Sequence, residues 1–333
     1  MAILRDSGDR SGGGRPARRR VHRRPGRRDP GDGAAFAQHV AAGRGTPPPN
    51  PGNGPGKYTA AVRLDPGTFE QGEIARRFDD VAARFATADY VHRRTCDGLL
   101  ERLLPVVVDP RVAVDLGTAI GRSAAALART WRKATIVGVD LSAGMLEQGA
   151  RSRPLLARRR LRAVRADARC TPFATGTADL VFANMLLPWM DDWQDCFAEV
   201  SRILRPGGVF AFATLGPDSL GELAELLPVH ACPDMHDLGD ALVRSGLADP
   251  VLDVDRLAVT FGSTASLVAD LVACGATRIA PDELAARLDP AGGHAGWSLG
   301  LELVYGHAWG TGAAPGRGEI RIDPASVGRR PRR

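Results

Sequence analysis

The segment Arg111 to Asp140, RVAVDLGTAIGRSAAALARTWRKATIVGVD, leaves the chain few folds to choose from. Val112 to Leu116 reads as a strand, and Gly117 and Gly121 bracket a tight turn. Ser123 to Thr130 then reads as a helix of small and apolar residues, and Thr135 to Val139 as a second strand. Two strands joined this way lie parallel, with a right-handed crossover. Ligands settle at the carboxyl ends of such strands, where the first turn opens into a helix N-terminus. Asp140 ends the second strand 23 residues beyond Gly117, which sets its carboxylate beside that turn. A carboxylate there accepts hydrogen bonds from two ribose hydroxyls.

The turn also discriminates between nucleotides. Pyrophosphate sites use GxGxxG and helix N-terminal amides. Here Gly117, Thr118, Ala119, Ile120 and Gly121 stand nearer to GxGxG, with Asp115 two residues upstream. An acidic strand end suits a ligand with an ammonium group and no phosphate, as in S-adenosylmethionine (SAM). The following units are consistent with this reading. Leu141 and an N-cap Ser142 lead into the helix SAGMLEQGARSR, from which Met145 reaches the adenine. The strand Leu161 to Ala166 ends in Asp167 and Ala168, where a carboxylate accepts from the adenine amino group. The strand Ala178 to Ala183 ends at Asn184, so Met185 to Trp189 border the transferring methyl. WQDCFAEVSRIL reads as an amphipathic helix, RPGG as a turn and VFAFATLG as a central strand. Beyond them come a helix over Met235 to Ser245, a strand over Val251 to Thr260, a helix to Gly275, and a strand LGLELVYGHAWG ending near Gly310. The alternation makes the fold class α/β.

Charge is distributed unevenly. The chain of 333 residues carries a net +6. Residues 1–72 hold 13 basic against 6 acidic residues, and the remainder is nearly neutral, which is no argument for a specific nucleic-acid partner. Residues 1–70 are rich in Arg, Gly and Pro and read as a disordered tail. The folded domain is expected over 71–310, and 311–333 as a flexible basic tail. Seven arginines between Arg151 and Arg165 read as a solvated helix end, or as a docking patch for an acidic carrier protein. Five cysteines lie far apart, without metal-ligand spacing, and read as free thiols in a reducing compartment. No metal and no membrane span are expected, and the cytoplasm is the expected location. Apolar residues at helical spacing from Ile74 to Leu104 predict a lid ahead of the first strand, with Tyr90, His92, Arg93 and Arg94 as candidates to touch substrate.

Several stretches together resemble the malonyl-acyl-carrier-protein O-methyltransferases of biotin synthesis, the BioC family. They are RRFDDVAARFATADYVHRR, VDLGTAIG, VDLSAGMLEQ, RADARCTPF, ADLVFANMLLPWMDD, ILRPGGVFAFATLGPDSLGEL, DMHDLGDALVRSG and VYGHAWG, in the family's order. The resemblance implies a Rossmann-like class I methyltransferase: a seven-stranded, mostly parallel sheet with helices on both faces, two C-terminal antiparallel strands and an N-terminal helical lid. It implies SAM as cofactor and, as acceptor, the free carboxylate of a malonyl thioester on acyl carrier protein or coenzyme A. That carboxylate is already ionised at pH 7 and needs no general base. Tyr90, His92, Trp189 and His307 are the candidates to hold it. The chain also departs from the family. Ala119 replaces a glycine, Phe85 stands where a tyrosine is common, and Gly221 and Ala224 stand where arginines are frequent. An inactive SAM-binding or partner-binding relative, or a methyltransferase-like assembly factor, is the alternative these departures suggest.

Overall fold

The computed structural model describes residues 70–152, 160–190, 193–224, 232–290 and 296–312. The Arg-rich N-terminal tail, the basic tail beyond residue 312, and Arg153, Arg158 and Arg159 lie outside the described residues.

Two helices come first, α1 (Gln71–Val81) and α2 (Tyr90–Leu103), followed by β1 (Val112–Leu116), α3 (Arg122–Thr130), β2 (Thr135–Asp140), α4 (Ala143–Ser152) and β3 (Leu161–Arg165). The chain continues through β4 (Ala178–Asn184), α5 (Trp193–Ile203), β5 (Leu204–Leu215), α6 (Met235–Arg244), β6 (Leu247–Phe261), α7 (Thr264–Ala273), α8 (Pro281–Leu288) and β7 (Trp297–Gly310). The seven strands form one sheet in the order β3-β2-β1-β4-β5-β7-β6. The first five pair in parallel. Both C-terminal ladders, β5 with β7 and β7 with β6, are antiparallel. One reversed strand, β7, therefore accounts for both.

Burial follows from this topology. Every residue of β4 is buried, as a parallel strand covered on both faces requires. One apolar cluster joins α2 and α3 to the sheet through Leu99, Leu127, Phe182 and Tyr305. The other packs α5 and α6 on the opposite face through Phe197, Phe210, Phe212 and Leu242. A third, smaller cluster joins the end of α1 to α4: Val81, Ala82, Phe85 and Met145, with Phe78, Ala119 and Ile120 against them. The lid thus packs on the strand-end turn itself.

Turn-forming residues mislead the sequence reading at two places. RPGG lies inside β5, with Gly207 at φ 73° and a register shift against β4 between Ala178 and Leu180. Likewise β6 begins at Leu247, four residues before the expected Val251, and passes Asp249 at φ 48° where its register with β7 shifts. Both are bulges, in which a positive-φ residue is absorbed and the strand continues. The helix α8 was not anticipated. The substrate candidates Tyr90 and His92 fall in the first turn of α2.

Candidate functional site

The strand-end turn is built around positive φ. Gly117 lies at 68°, Ala119 at 45° and Gly121 at 79°. A Cβ on Gly117 would stand 2.9 Å from Leu186 Cδ1, so conformation and space both require glycine there. Ala119 adopts the left-handed region that costs an L-residue about 1–2 kcal/mol. Its amide is held there by donating to Asp140 Oδ2 at 2.7 Å, while Thr118 N–H donates to the Val139 carbonyl at 3.0 Å. Restoring glycine relieves the strain but adds unfolded-state entropy. Ala119→Gly is therefore expected to raise the unfolding free energy by roughly 0.5–1 kcal/mol, measured by urea denaturation. A lower midpoint would mean that the Ala119 methyl, packed on the lid cluster, contributes more than the turn costs it.

Asp140 is the centre of the arrangement. Its two carboxylate oxygens accept from Ala119 N–H and, at 2.9 Å, from Ser142 N–H. The Leu141 amide also contributes, and of the roughly four acceptor sites of a carboxylate what remains is left for a ribose hydroxyl. Burial pushes the Asp140 carboxyl up to about 6, against the pull of these amides. Asp115 lies behind the turn, 1% exposed, where its Oδ2 accepts the Thr118 hydroxyl at 2.5 Å. Burial raises its pKa to about 7. Asp115 thus fixes the turn from behind through the buried Thr118 side chain.

Three cavities with shared lining residues surround this turn. The donor cavity holds about 840 Å³ counted to its open mouth. His92, Gly117, Ala119, Asp140, Leu141, Met145, Asp167, Ala168, Asn184, Met185 and Trp189 all line it, which brings together eleven of the residues read from sequence. Asp167 is ion-paired with Arg169 at 3.3 Å. The lid residues Gln71, Ile74, Ala75 and Phe78 close the cavity from above. Asp79 docks the lid by accepting from the Ser142 hydroxyl at 2.6 Å and Gly144 N–H at 2.7 Å. Ser142 Oγ in turn caps α4, accepting from Met145 N–H at 3.0 Å. At the end of β4, Met185 turns to φ 59°, a conformation that concentrates at functional sites.

A second cavity runs from Gly117, Thr118 and Ala119 between α2 and α3, past Asp89, Arg93, Arg122 and Arg129. Asp89 is ion-paired there with Arg93 and Arg122. A third, apolar chamber opens on the far side and shares His92, Met185 and Trp189 with the donor cavity.

The substrate candidates separate into two pairs. His92 and Trp189 stand at the junction. Burial lowers His92 to about 4, so it is a neutral imidazole at pH 7, and its Nδ1 has no hydrogen-bond partner. Its ring meets Phe85 edge-on at 5.0 Å, and Phe78 joins Phe85 to Trp189 at 6.5 and 4.8 Å. Tyr90 instead packs against the apolar core, and His307 is not brought to the junction either. His307 pairs with Ala211, four residues before the Leu215 end of β5, about 13 Å along the strand. Gly121 serves as N-cap of α3. The lid residues were hidden in an amphipathic helix whose apolar spacing gave no sign of which positions face a ligand.

These groups fit SAM. A carboxylate with an acceptor site to spare stands at a strand end, apolar Leu141 and Met145 lie beyond it, and Arg169, ion-paired with Asp167, is the one cation among the described residues lining the donor cavity. The Arg77 guanidinium lies against the Trp189 ring, 5.7 Å from its centroid. Sheet order, acid-tipped strands and lid define a class I SAM-dependent methyltransferase. Residues 114–212 match the family model described as a methyltransferase domain. A solved structure of a candidate methyltransferase from Bacillus halodurans shares the fold, with a TM-score of 0.50 and 14% identity over 64% of this chain and 97% of that one. The chain belongs to the malonyl-[acyl-carrier protein] O-methyltransferase family. It is 36% identical to the protein of that name from Halorhodospira halophila, over 78% of this chain and 96% of that protein. It is 33% identical to the one from Laribacter hongkongensis, over 74% and 92%. Among the described residues, no helix is long and apolar enough to cross a membrane.

Proposed function

We propose that this enzyme transfers the methyl group of SAM to the free carboxylate of a malonyl thioester, with malonyl-acyl carrier protein rather than malonyl-CoA as acceptor and the cytoplasm as its compartment. The observation that carries the reading is the meeting of the donor cavity and an apolar chamber at His92, Met185 and Trp189, in a chain of this family. SAM supplies an electrophilic methyl on a positively charged sulfur. The chain supplies position and dryness. Asp140 takes the ribose hydroxyls, Asp167 and Met145 meet the adenine, and Thr118 and Ala119 face the amino-acid end. At the junction Trp189 and Met185 exclude water, and neutral His92 offers one N–H to the acceptor. No residue need remove a proton, because the acceptor carboxylate is ionised at pH 7. Holding two reactants in line in a water-excluding site is the source of rate. The loss of methyl transfer suggested by Ala119 is the weaker reading, because the donor cavity reaches the turn with Ala119 lining it. The test compares radiolabelled methyl transfer to malonyl-acyl carrier protein, malonyl-CoA and acetyl-acyl carrier protein. Preference for the first and none for the last are expected, and labelling of the acetyl carrier would contradict the carboxylate assignment.

The pH dependence follows from Asp140. With the carboxyl at about 6, the ionised acceptor is lost below that value. SAM affinity is expected to be flat above pH 7 and to fall by up to about tenfold per pH unit below 6, read by calorimetry. The stability term has the opposite sense. The Asp140 pKa is raised above its ordinary 3.8, so its contribution to the unliganded fold is fully present below that value and is lost as pH rises through about 6.

A further inference from the structure

The chamber beside the donor cavity reaches from the junction residues to α7 and the β6–β7 ladder. Its walls are almost entirely apolar, drawn from α2, β6, α7 and β7, with Val91, Val259, Phe261, Leu271 and Leu299 among them. Among the described residues no Lys or Arg lines it. One carboxylate does: Asp270 of α7. Among the described residues no side-chain hydrogen bond or ion pair engages the Asp270 carboxylate, and Asp89 repels it. The side chain is partly buried, so its oxygens stay open to a ligand that enters the chamber. A ligand with a hydrogen-bond donor suits it.

The acceptor supplies such a ligand. A malonyl group on an acyl carrier travels at the end of a pantetheine arm, whose methylenes and paired methyls are apolar and whose two amides carry N–H donors. The malonyl carboxylate must lie at the His92, Met185 and Trp189 junction, so the arm trails away from it. The second cavity is charged, with Arg93, Arg122 and Arg129, and suits the amino-acid end of SAM. The apolar chamber shares His92, Met185 and Trp189 with the donor cavity and presents one carboxylate acceptor. It favours the arm and disfavours the malonyl carboxylate, which Asp270 would repel.

We propose that this chamber is the path of the pantetheine arm and that Asp270 accepts a hydrogen bond from one of the arm's amide N–H groups. The inference rests on the malonyl-thioester reading and makes Asp270 a positioning residue for the acceptor. A hydrogen bond to a charged group contributes about 1.5–3 kcal/mol, or roughly tenfold to a hundredfold in binding.

The test uses the full chain with two acceptors: malonyl-pantetheine, and the S-ethyl half-thioester of malonic acid, which has no arm. Asp270→Leu is expected to raise KM for malonyl-pantetheine at least about tenfold with little change in kcat. Asp270→Asn, which keeps a carbonyl acceptor, falls between it and the wild type. Neither substitution changes kcat/KM for the half-thioester or the affinity for SAM. Both variants melt no lower than the parent at pH 8, because the carboxylate they remove makes no side-chain contact that holds the fold. Equal losses on the two acceptors would put Asp270 at the malonyl end or in the fold, and an unchanged KM for malonyl-pantetheine would take it off the arm. Either result overturns the inference while leaving the parent reaction intact. A wild-type chain that methylates neither acceptor removes the malonyl-thioester reading and this inference with it.

Discussion

Asp140→Ala is expected to raise the dissociation constant for SAM at least about tenfold, and nearer a hundredfold if both ribose hydroxyls are held. The carboxylate is a junction as well as a ligand group. It accepts from Ala119 N–H at 2.7 Å and Ser142 N–H at 2.9 Å, so truncation also releases the two segments that shape the cavity wall. Asp140→Asn is the informative companion. Its amide keeps the volume but brings an NH₂ group where two backbone N–H donors already point, so one of these contacts becomes repulsive. Affinity is expected to fall for Asn almost as far as for Ala. Calorimetry on the full chain reads the effect directly. Unchanged affinity in the Ala variant would end the ribose assignment.

The second large effect concerns the scaffold. Asp179, at the start of β4, is 5% exposed and accepts from Arg111 N–H at 2.6 Å and Val112 N–H at 2.8 Å. Arg205 at the start of β5 adds an ion pair at 2.6 Å. One carboxylate therefore ties the entry of β1 to β4 and β5, the three strands that present the turn, Asn184 and Met185. Asp179→Ala removes three charge-assisted contacts and leaves two strand amides without their partner. Breaking such a buried charged group costs about 3–5 kcal/mol, and a domain of this size loses roughly 2–4 °C of melting temperature per kcal/mol. A drop of about 10 °C is expected in thermal unfolding. A shift below about 2 °C would mean that the strand entry is held by its ladder alone.

These two acids also mark how far the sequence could be read. Asp140 was legible because its role is local: a strand of fixed length ends there, and the parallel crossover sets that end beside the glycine turn. The same logic puts Asp167 and Asn184 on the wall of the donor cavity. Asp79 was not legible, since its contacts with Ser142 and Gly144 cross 63 and 65 residues, and an acid on an exposed helix face is ordinary in sequence. His307 lies away from the junction for a different reason. It lies on the expected strand, but antiparallel register decides which residue of β7 reaches the carboxyl end of β5, and that register places Leu303 beside Leu215. Asp115 stands at the end of β1, and burial behind the turn directs it to the Thr118 hydroxyl. Departures from the family are legible as residues, but not as costs. Ala119 does take a positive φ, and the turn accommodates it through the Asp140 hydrogen bond.

The most direct test of the central claim is the mass of malonyl-acyl carrier protein after incubation with the full chain and SAM. An increase equal to one methyl group replacing a proton, removed by mild ester hydrolysis and absent from the Asp140→Ala reaction at the same SAM concentration, is the predicted result. An unchanged carrier mass, with SAM shown by calorimetry to be bound, would contradict it.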